Sequence, residues 1–402
     1  MSTLLAGLSL ILMPLVPLLG GLILLLGLFK ETFLRPHSSP MRFLTQLSAS
    51  QKITLGLLLL SSTLTFACSR YPLHHLAGII SHYLLPLWIC SVFIHALHRG
   101  RLQTAFLRQV LLIGLGGLAG VALLNYFGNL HGHLQLWQLP YFDRPYLLEL
   151  SLAPALERAG GPGLNPNLLG LLMVLGWPLA LKEATQSRPW RKRMIWIGFC
   201  LLLFVATGIS FSRSAWLALL AAQLLLLTAS PALRSASLIS LVSETALLLL
   251  PQVQTRIQTL FAAEHSTNEL RLQIWQSGFK MLHDFWLTGT GLLQFEQFYP
   301  AYQLADRGSA HLHNALLQIA VESGLIFALC LAYVSLKLFL GAGKQPEIQA
   351  AWLALGVFAC FDFPLADLRV QVCLAILIAL QLGGNSLPTG NAKSLRTAEG
   401  IC

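Results

Sequence analysis

Long apolar runs separated by short polar joints constrain this chain more than any other feature. Runs close to the length of a bilayer-spanning helix can be read at about 3–29, 53–69, 76–97, 109–127, 165–181, 194–209, 214–230, 235–251, 313–336, 349–363 and 368–383. Lipid offers no partner for a free backbone N–H or C=O, so runs of this length must be helical. The expected fold is therefore an all-α polytopic membrane helix bundle of about 11–12 transmembrane helices. With 55% hydrophobic residues, 10% charged residues and a mean hydropathy of +0.67, the chain is too apolar for a soluble globule.

Lys and Arg set the orientation. If 30–52 faces the cytoplasm, alternation places 98–108, 182–193, 231–234, 337–348 and the tail from 384 on the same side. Those segments hold 17 of the 26 Lys and Arg residues, as the positive-inside rule expects. The divisions expected are N-terminal membrane helices (1–127), an extracytoplasmic loop (128–164), central membrane helices (165–251), a large extracytoplasmic loop (252–312), C-terminal membrane helices (313–385) and a cytoplasmic tail (386–402). The net charge of +10 then reflects topology and gives no reason to expect nucleic-acid binding. Arg188-Pro189-Trp190-Arg191-Lys192-Arg193 reads as a cytoplasmic anchor.

Cys68, Cys90, Cys200, Cys330, Cys360 and Cys373 lie within or at the ends of spans, with Cys402 in the tail. No CxxC or Cys/His spacing suggests a disulfide framework or zinc. The first run, with Pro14 and Pro17, is read as a retained helix. Trp137, Tyr141, Phe142 and Tyr146 read as an interfacial belt or a sugar-facing surface, and His74-His75 as solvated residues at a membrane boundary.

Chemistry concentrates between Arg256 and Gly324. Asn268 to Phe285 has the period of an amphipathic helix, with Ser266 and Glu269 spaced as a capping box. Leu270, Ile274, Trp275, Gly278, Met281, Leu282 and Phe285 share its apolar face. Arg271 also projects from that side and needs a partner there. Arg213 sits in the tight turn joining two spans, on the same side of the membrane, where it can snorkel to head groups or serve a site. Asn165-Pro166-Asn167 opens the fifth span as an Asn cap with Pro in the first turn.

Glu244 and Glu322 fall inside spans and must face the bundle, paired or protonated. Asn314, Gln318 and Glu322 form a polar stripe assigned to helix packing. Gly289-Thr290-Gly291 reads as a turn. His313 falls in the first turn of the ninth span, where the helix dipole disfavours a cation, which suits a general base. A guanidinium pair beside it would bind a diphosphate through forked hydrogen bonds. Together these residues suggest group transfer from a lipid diphosphate to a hydroxyl.

Ser212-Arg213-Ser214-Ala215-Trp216, Arg271-Leu272-Gln273-Ile274-Trp275, Leu287-Thr288-Gly289-Thr290-Gly291, His311-Leu312-His313-Asn314 and Glu322-Ser323-Gly324 together resemble the O-antigen ligase and polymerase superfamily of bacterial membrane glycosyltransferases. Asn165-Pro166-Asn167-Leu168-Leu169-Gly170 and Phe361-Asp362-Phe363-Pro364 add to the likeness, which spans roughly 165–385. The ligase pattern of His, Asn and a later Gly-x-x-Gly/Thr/Tyr is met by His313, Asn314 and Gly324, while Phe327 takes its last position.

The resemblance implies a GT-C-like bundle in the bacterial inner membrane with its active site facing the periplasm. It implies transfer of a glycan from undecaprenyl diphosphate to an acceptor hydroxyl, on lipid A core in a ligase, without metal or cofactor. His313 would act as general base and Arg213 and Arg271 would hold the diphosphate, with His311, Asn314 and Trp275 in support. The partners implied are the lipid-linked glycan, an acceptor glycolipid or glycan, and the bilayer. Polymerases and protein O-oligosaccharyltransferases share this layout, and some members carry a bicarbonate-transport assignment. A carrier would place its ionisable groups at midplane in a repeated, broken-helix core. The clustering of Arg213, Arg271 and His313 at one face favours the enzyme.

Overall fold

The computed structural model describes residues 3–33, 48–128, 132–133, 151–152, 159, 164–247, 254, 266–305 and 308–383. The segment carrying Trp137, Tyr141, Phe142 and Tyr146, residue Arg256 and the tail from 384 lie outside them. The chain is an all-α polytopic membrane protein. Among the described residues, five helices are long and apolar enough to cross a membrane: Ala49–Cys68, Pro72–His98, Thr104–Phe127, Pro166–Gln186 and Trp190–Ile209. A two-residue antiparallel ladder pairs Gly132–His133 with Ser151–Leu152.

In chain order the helices are α1 (Thr3–Leu12), α2 (Pro17–Phe33), α3 (Ala49–Cys68), α4 (Pro72–Ile79) continuing through a π segment Ile80–Leu84 into α5 (Leu85–His98), and α6 (Thr104–Gly128). They are followed by α7 (Pro166–Gln186), α8 (Trp190–Ile209), α9 (Arg213–Leu226), α10 (Pro231–Leu247) and α11 (Ser266–Phe285). The last five are α12 (Phe295–Phe298), α13 (Ala315–Ser323), α14 (Leu325–Gly341), α15 (Pro346–Ala359) and α16 (Leu368–Gly383).

Two expected spans are broken helices. The run 3–29 divides at Met13–Val16, where Pro14 and Pro17 leave backbone N–H positions empty. The run 313–336 divides at Gly324, whose φ of 85° and ψ of 156° only glycine adopts readily.

α7 is the bundle's axis. Its apolar residues cover every side, and most of them are buried, whereas most of α3 is exposed or half-buried. It packs on α6, α8, α9 and α15, so the starts of α7 and α9 and the end of α15 meet at one end of the bundle. Away from that end, buried acids are paired: Glu183 with Arg108 and Gln109, and Glu347 with Lys182 at 3.2 Å. The pairing expected for Glu244 is also present, since Gln223 Nε2 donates to its Oε1 at 2.6 Å.

Candidate active site

The site grows from a short polar segment that cannot be helical. Asn314 caps α13, its side-chain oxygen accepting from the Leu317 N–H at 2.9 Å. His313 therefore precedes the helix instead of lying in its first turn, with a φ of 50°. Leu312 is fully buried and packs with Ile274, Met281, Leu317 and Val321. A Cβ at Gly278 of α11 would come within 2.8 Å of the Leu312 side chain, which is why a glycine stands there. With Leu312 anchored inward, His311 and His313 on either side present their rings to one partner, 4.2 Å apart.

That partner is Asp362, in the turn after α15. Its Oδ1 receives His311 Nε2 at 3.1 Å, His313 Nδ1 at 3.3 Å and the Phe363 N–H at 2.9 Å. Its Oδ2 accepts from Asn167 Nδ2 at 2.8 Å. The Asp362 side chain is 5% exposed, against 27% for His311 and 25% for His313, so the imidazoles lie between the carboxylate and the open side of the site. Burial alone would raise the Asp362 carboxyl. Hydrogen bonds from His311 and His313, with the charge of those rings, outweigh it and hold the group well below the ordinary carboxylate range. An ionised carboxylate only accepts, so the nitrogens facing it carry the protons. This places N–H at His313 Nδ1 and His311 Nε2.

Asn165 caps α7 as the local reading expects, accepting from the Asn167 N–H at 2.8 Å. What local reading missed is that Asn167 turns its own amide to Asp362. The polar stripe on α13 is also more than packing. Gln318 Oε1 accepts the Leu312 N–H at 2.7 Å, and Asn314 Nδ2 donates to the Cys360 carbonyl at 3.2 Å. Both bonds hold the His311–Asn314 segment against the turn that carries Asp362.

Arg271 feels the charge of Asp362 across the same site. Burial lowers its guanidinium pKa, and the Asp362 charge opposes that shift. Among the described residues it makes no hydrogen bond. Arg213 begins α9, where Ser212 is the cap and the preceding Phe211 has a φ of 46°. Its guanidinium donates to Asn268 Oδ1 at 3.0 Å, one turn before Arg271 on α11. Arg213 is thus tied to α11 through Asn268, His311, His313 and Asn167 meet at Asp362, whose charge acts on Arg271, and Asn314 bonds the turn that carries Asp362. Trp275 makes none of these contacts: its ring packs beside Ile274, and among the described residues its buried Nε1 has no hydrogen-bond partner.

The Gly289-Thr290-Gly291 turn holds this assembly in place. Thr290 and Gly291 donate backbone N–H groups to the carbonyls of Val321 and Glu322 at 2.8 and 2.9 Å, and Leu325 donates to the Trp286 carbonyl at 2.7 Å. The exposed carbonyls at the end of α13 are satisfied in this way. His75, expected to be solvated, is buried. Its Nδ1 accepts from the Leu292 N–H at 3.1 Å, pinning the same loop to α4.

Leu272, Phe279 and Trp286 form an exposed apolar strip, about two turns apart along and just beyond α11. By helical rotation Leu272 and Phe279 point the same way as Asn268, roughly a quarter turn from Arg271, which shares the direction of Gly278 on the face packed on Leu312. His311, His313 and Asp362 also bring their ligand-capable atoms within 4.8 Å of one another, the spacing of a metal-binding set.

Residues 198–332 match a family model described as O-antigen ligase. No curated protein matches the chain. The matched region holds Arg213, Arg271, His311 and His313, whereas Asn167 and Asp362 lie on either side of it.

Proposed function

We propose that this chain, whose residues 198–332 match a family model described as O-antigen ligase, transfers a glycan from undecaprenyl diphosphate to an acceptor hydroxyl at the periplasmic face of the inner membrane. The observation that carries this reading is the shared carboxylate: Asp362 faces His313 at 3.3 Å and balances the charge of half-buried Arg271.

His313 Nδ1–H donates to Asp362, which leaves Nε2 to take the acceptor proton. The acceptor oxygen attacks the anomeric carbon as the bond from that carbon to the diphosphate oxygen breaks. One displacement inverts the configuration. The proton ends on His313, and Asp362 stabilises the imidazolium. Arg271 and Arg213 neutralise the departing diphosphate, the largest electrostatic demand of the step. Two guanidinium groups meet that demand, so the reaction requires no metal.

The strip Leu272, Phe279 and Trp286 suits the donor's polyprenyl tail, because it runs on the side of Asn268, the partner of Arg213, and is otherwise costly to expose. Polymerases and protein oligosaccharyltransferases would use the same donor chemistry with a different acceptor.

The test incubates purified protein with polyprenyl-diphosphate glycan and lipid A core, glycan or protein acceptors in EDTA. Wild type transfers the glycan. His313→Ala and Arg271→Ala express and fold but lose transfer by about 100-fold or more. Transfer surviving either substitution would overturn the assigned roles, and the acceptor that is consumed names the branch of the superfamily.

A further inference from the structure

We propose that the His311–His313–Asp362 cluster also binds a transition-metal dication of the zinc class, and that the bound metal switches the transferase off. The geometry fits such an ion. Zinc lies about 2.0–2.1 Å from imidazole nitrogens and about 2.0–2.2 Å from carboxylate oxygens, so neighbouring ligand atoms in a tetrahedral site stand roughly 3.3–3.5 Å apart. The two ring nitrogens stand 3.1 and 3.3 Å from Asp362 Oδ1, and all three ligand atoms fall within 4.8 Å of one another.

Two imidazoles and one carboxylate select zinc, cobalt or nickel over magnesium or calcium, which require oxygen ligands. The carboxylate is already oriented by Asn167 Nδ2 and the Phe363 N–H, as outer-shell groups orient ligands in metal sites. Both imidazoles are about one quarter exposed, which leaves an approach path and an open coordination position. The Arg271 charge opposes a second cation nearby, so binding is reversible and weaker than in a structural zinc site.

The consequence for the reaction follows from the ring. A metal can bind Nδ1 of His313 only through its lone pair, so the proton of the neutral imidazole must move to Nε2. That nitrogen then donates and can no longer take a proton from an acceptor. Binding itself stands apart from the transfer reading. Only the inhibition rests on it.

Purified full-length protein, stripped of metal, is titrated with Zn²⁺ by calorimetry and with Co²⁺ by visible d–d absorption. One ion per chain is expected. His311→Ala and Asp362→Asn should each weaken binding by at least about 100-fold, the upper range for losing only an outer-shell partner. His283→Ala removes an exposed histidine paired with Asp284 and should bind as wild type does. Glycan transfer should fall as the site fills with Zn²⁺ and return with EDTA.

Equal binding in wild type, His311→Ala and Asp362→Asn would overturn the site, as would no binding to wild type. Because folding of Asp362→Asn is not assured, His311→Ala and the Co²⁺ spectrum of wild type decide the matter independently. Transfer that is unaffected at saturating Zn²⁺ would overturn the switch. Zinc bound at this site by a protein that transfers nothing would instead count against the transferase reading alone.

Discussion

His313 and Asp362 work as one unit. His313 has left-handed backbone at a φ of 50° and would have no fixed ring orientation on its own, while the Asp362 carboxylate sets both its direction and its tautomer. Asp362→Asn should therefore leave donor KM close to wild type and lower kcat by about 100-fold or more, because the amide can present N–H to Nδ1 and reverse the tautomer. A purely structural role would change neither the tautomer nor the pH–rate profile, so that profile is the discriminating readout.

The same residue sets an acid limit. Its folded pKa is depressed below the ordinary carboxylate value, so its stabilisation is fully present above that value and is lost as pH falls through the acid range toward the folded pKa. Thermal unfolding in detergent across that range should show the loss in wild type and a flatter curve in Asp362→Asn. At this scale, His313, Arg213 and Arg271 were legible as charges in apolar surroundings. Asp362 was legible only as part of a familiar motif, and Asn167 only as part of another and of a cap. Neither role has a local signal, since Asn167 and Asp362 are 195 residues apart.

Two glycines and one exposed strip carry the predictions for the elements. Gly324 ends α13 in a backbone region that a side chain resists, and a Cβ there would stand 2.5 Å from the Leu287 carbonyl oxygen. Gly289, with a φ of 68°, faces the Glu322 carbonyl oxygen at 2.4 Å in the same sense. Gly324→Ala should destabilise the protein by about 2 kcal/mol or more, read as a lower midpoint in thermal or denaturant unfolding. The motifs Leu287–Gly291 and Glu322–Gly324, separate in sequence, are one device that seals the end of α13 and holds His313 in place.

The helix α11 was readable from its period, including its buried face. Its start lies at Ser266, two residues before the first turn that the periodicity predicts. Its exposed strip was not readable, because Leu272 and Phe279 look like ordinary members of an amphipathic pattern until one face is packed. Phe279→Asp should raise KM for a polyprenyl-linked donor at least about tenfold and leave a short-chain soluble analogue little affected, measured in steady-state transfer.

Asp362 and the basic run Arg188–Arg193 stand at opposite ends of α7. α7 starts beside Asp362 and finishes near the run Arg188–Arg193, so the two cannot share a side if α7 spans the bilayer. A cysteine placed at exposed Gly308 should react with a membrane-impermeant thiol reagent applied to spheroplasts. One placed at exposed Arg191 should react only after permeabilisation. The reverse pattern would invert the topology. Hydropathy alone determined that the chain is a membrane-spanning helical bundle, because long apolar runs have no other stable state in lipid, and the Lys and Arg asymmetry supplies the orientation that the labelling tests. Only the tertiary structure decided that two expected spans are broken and that Asn167, two histidines and Arg271 converge on one carboxylate. Such contacts depend on how α7, α13 and α15 pack, and no local pattern of residues encodes the distance between positions that far apart in the chain.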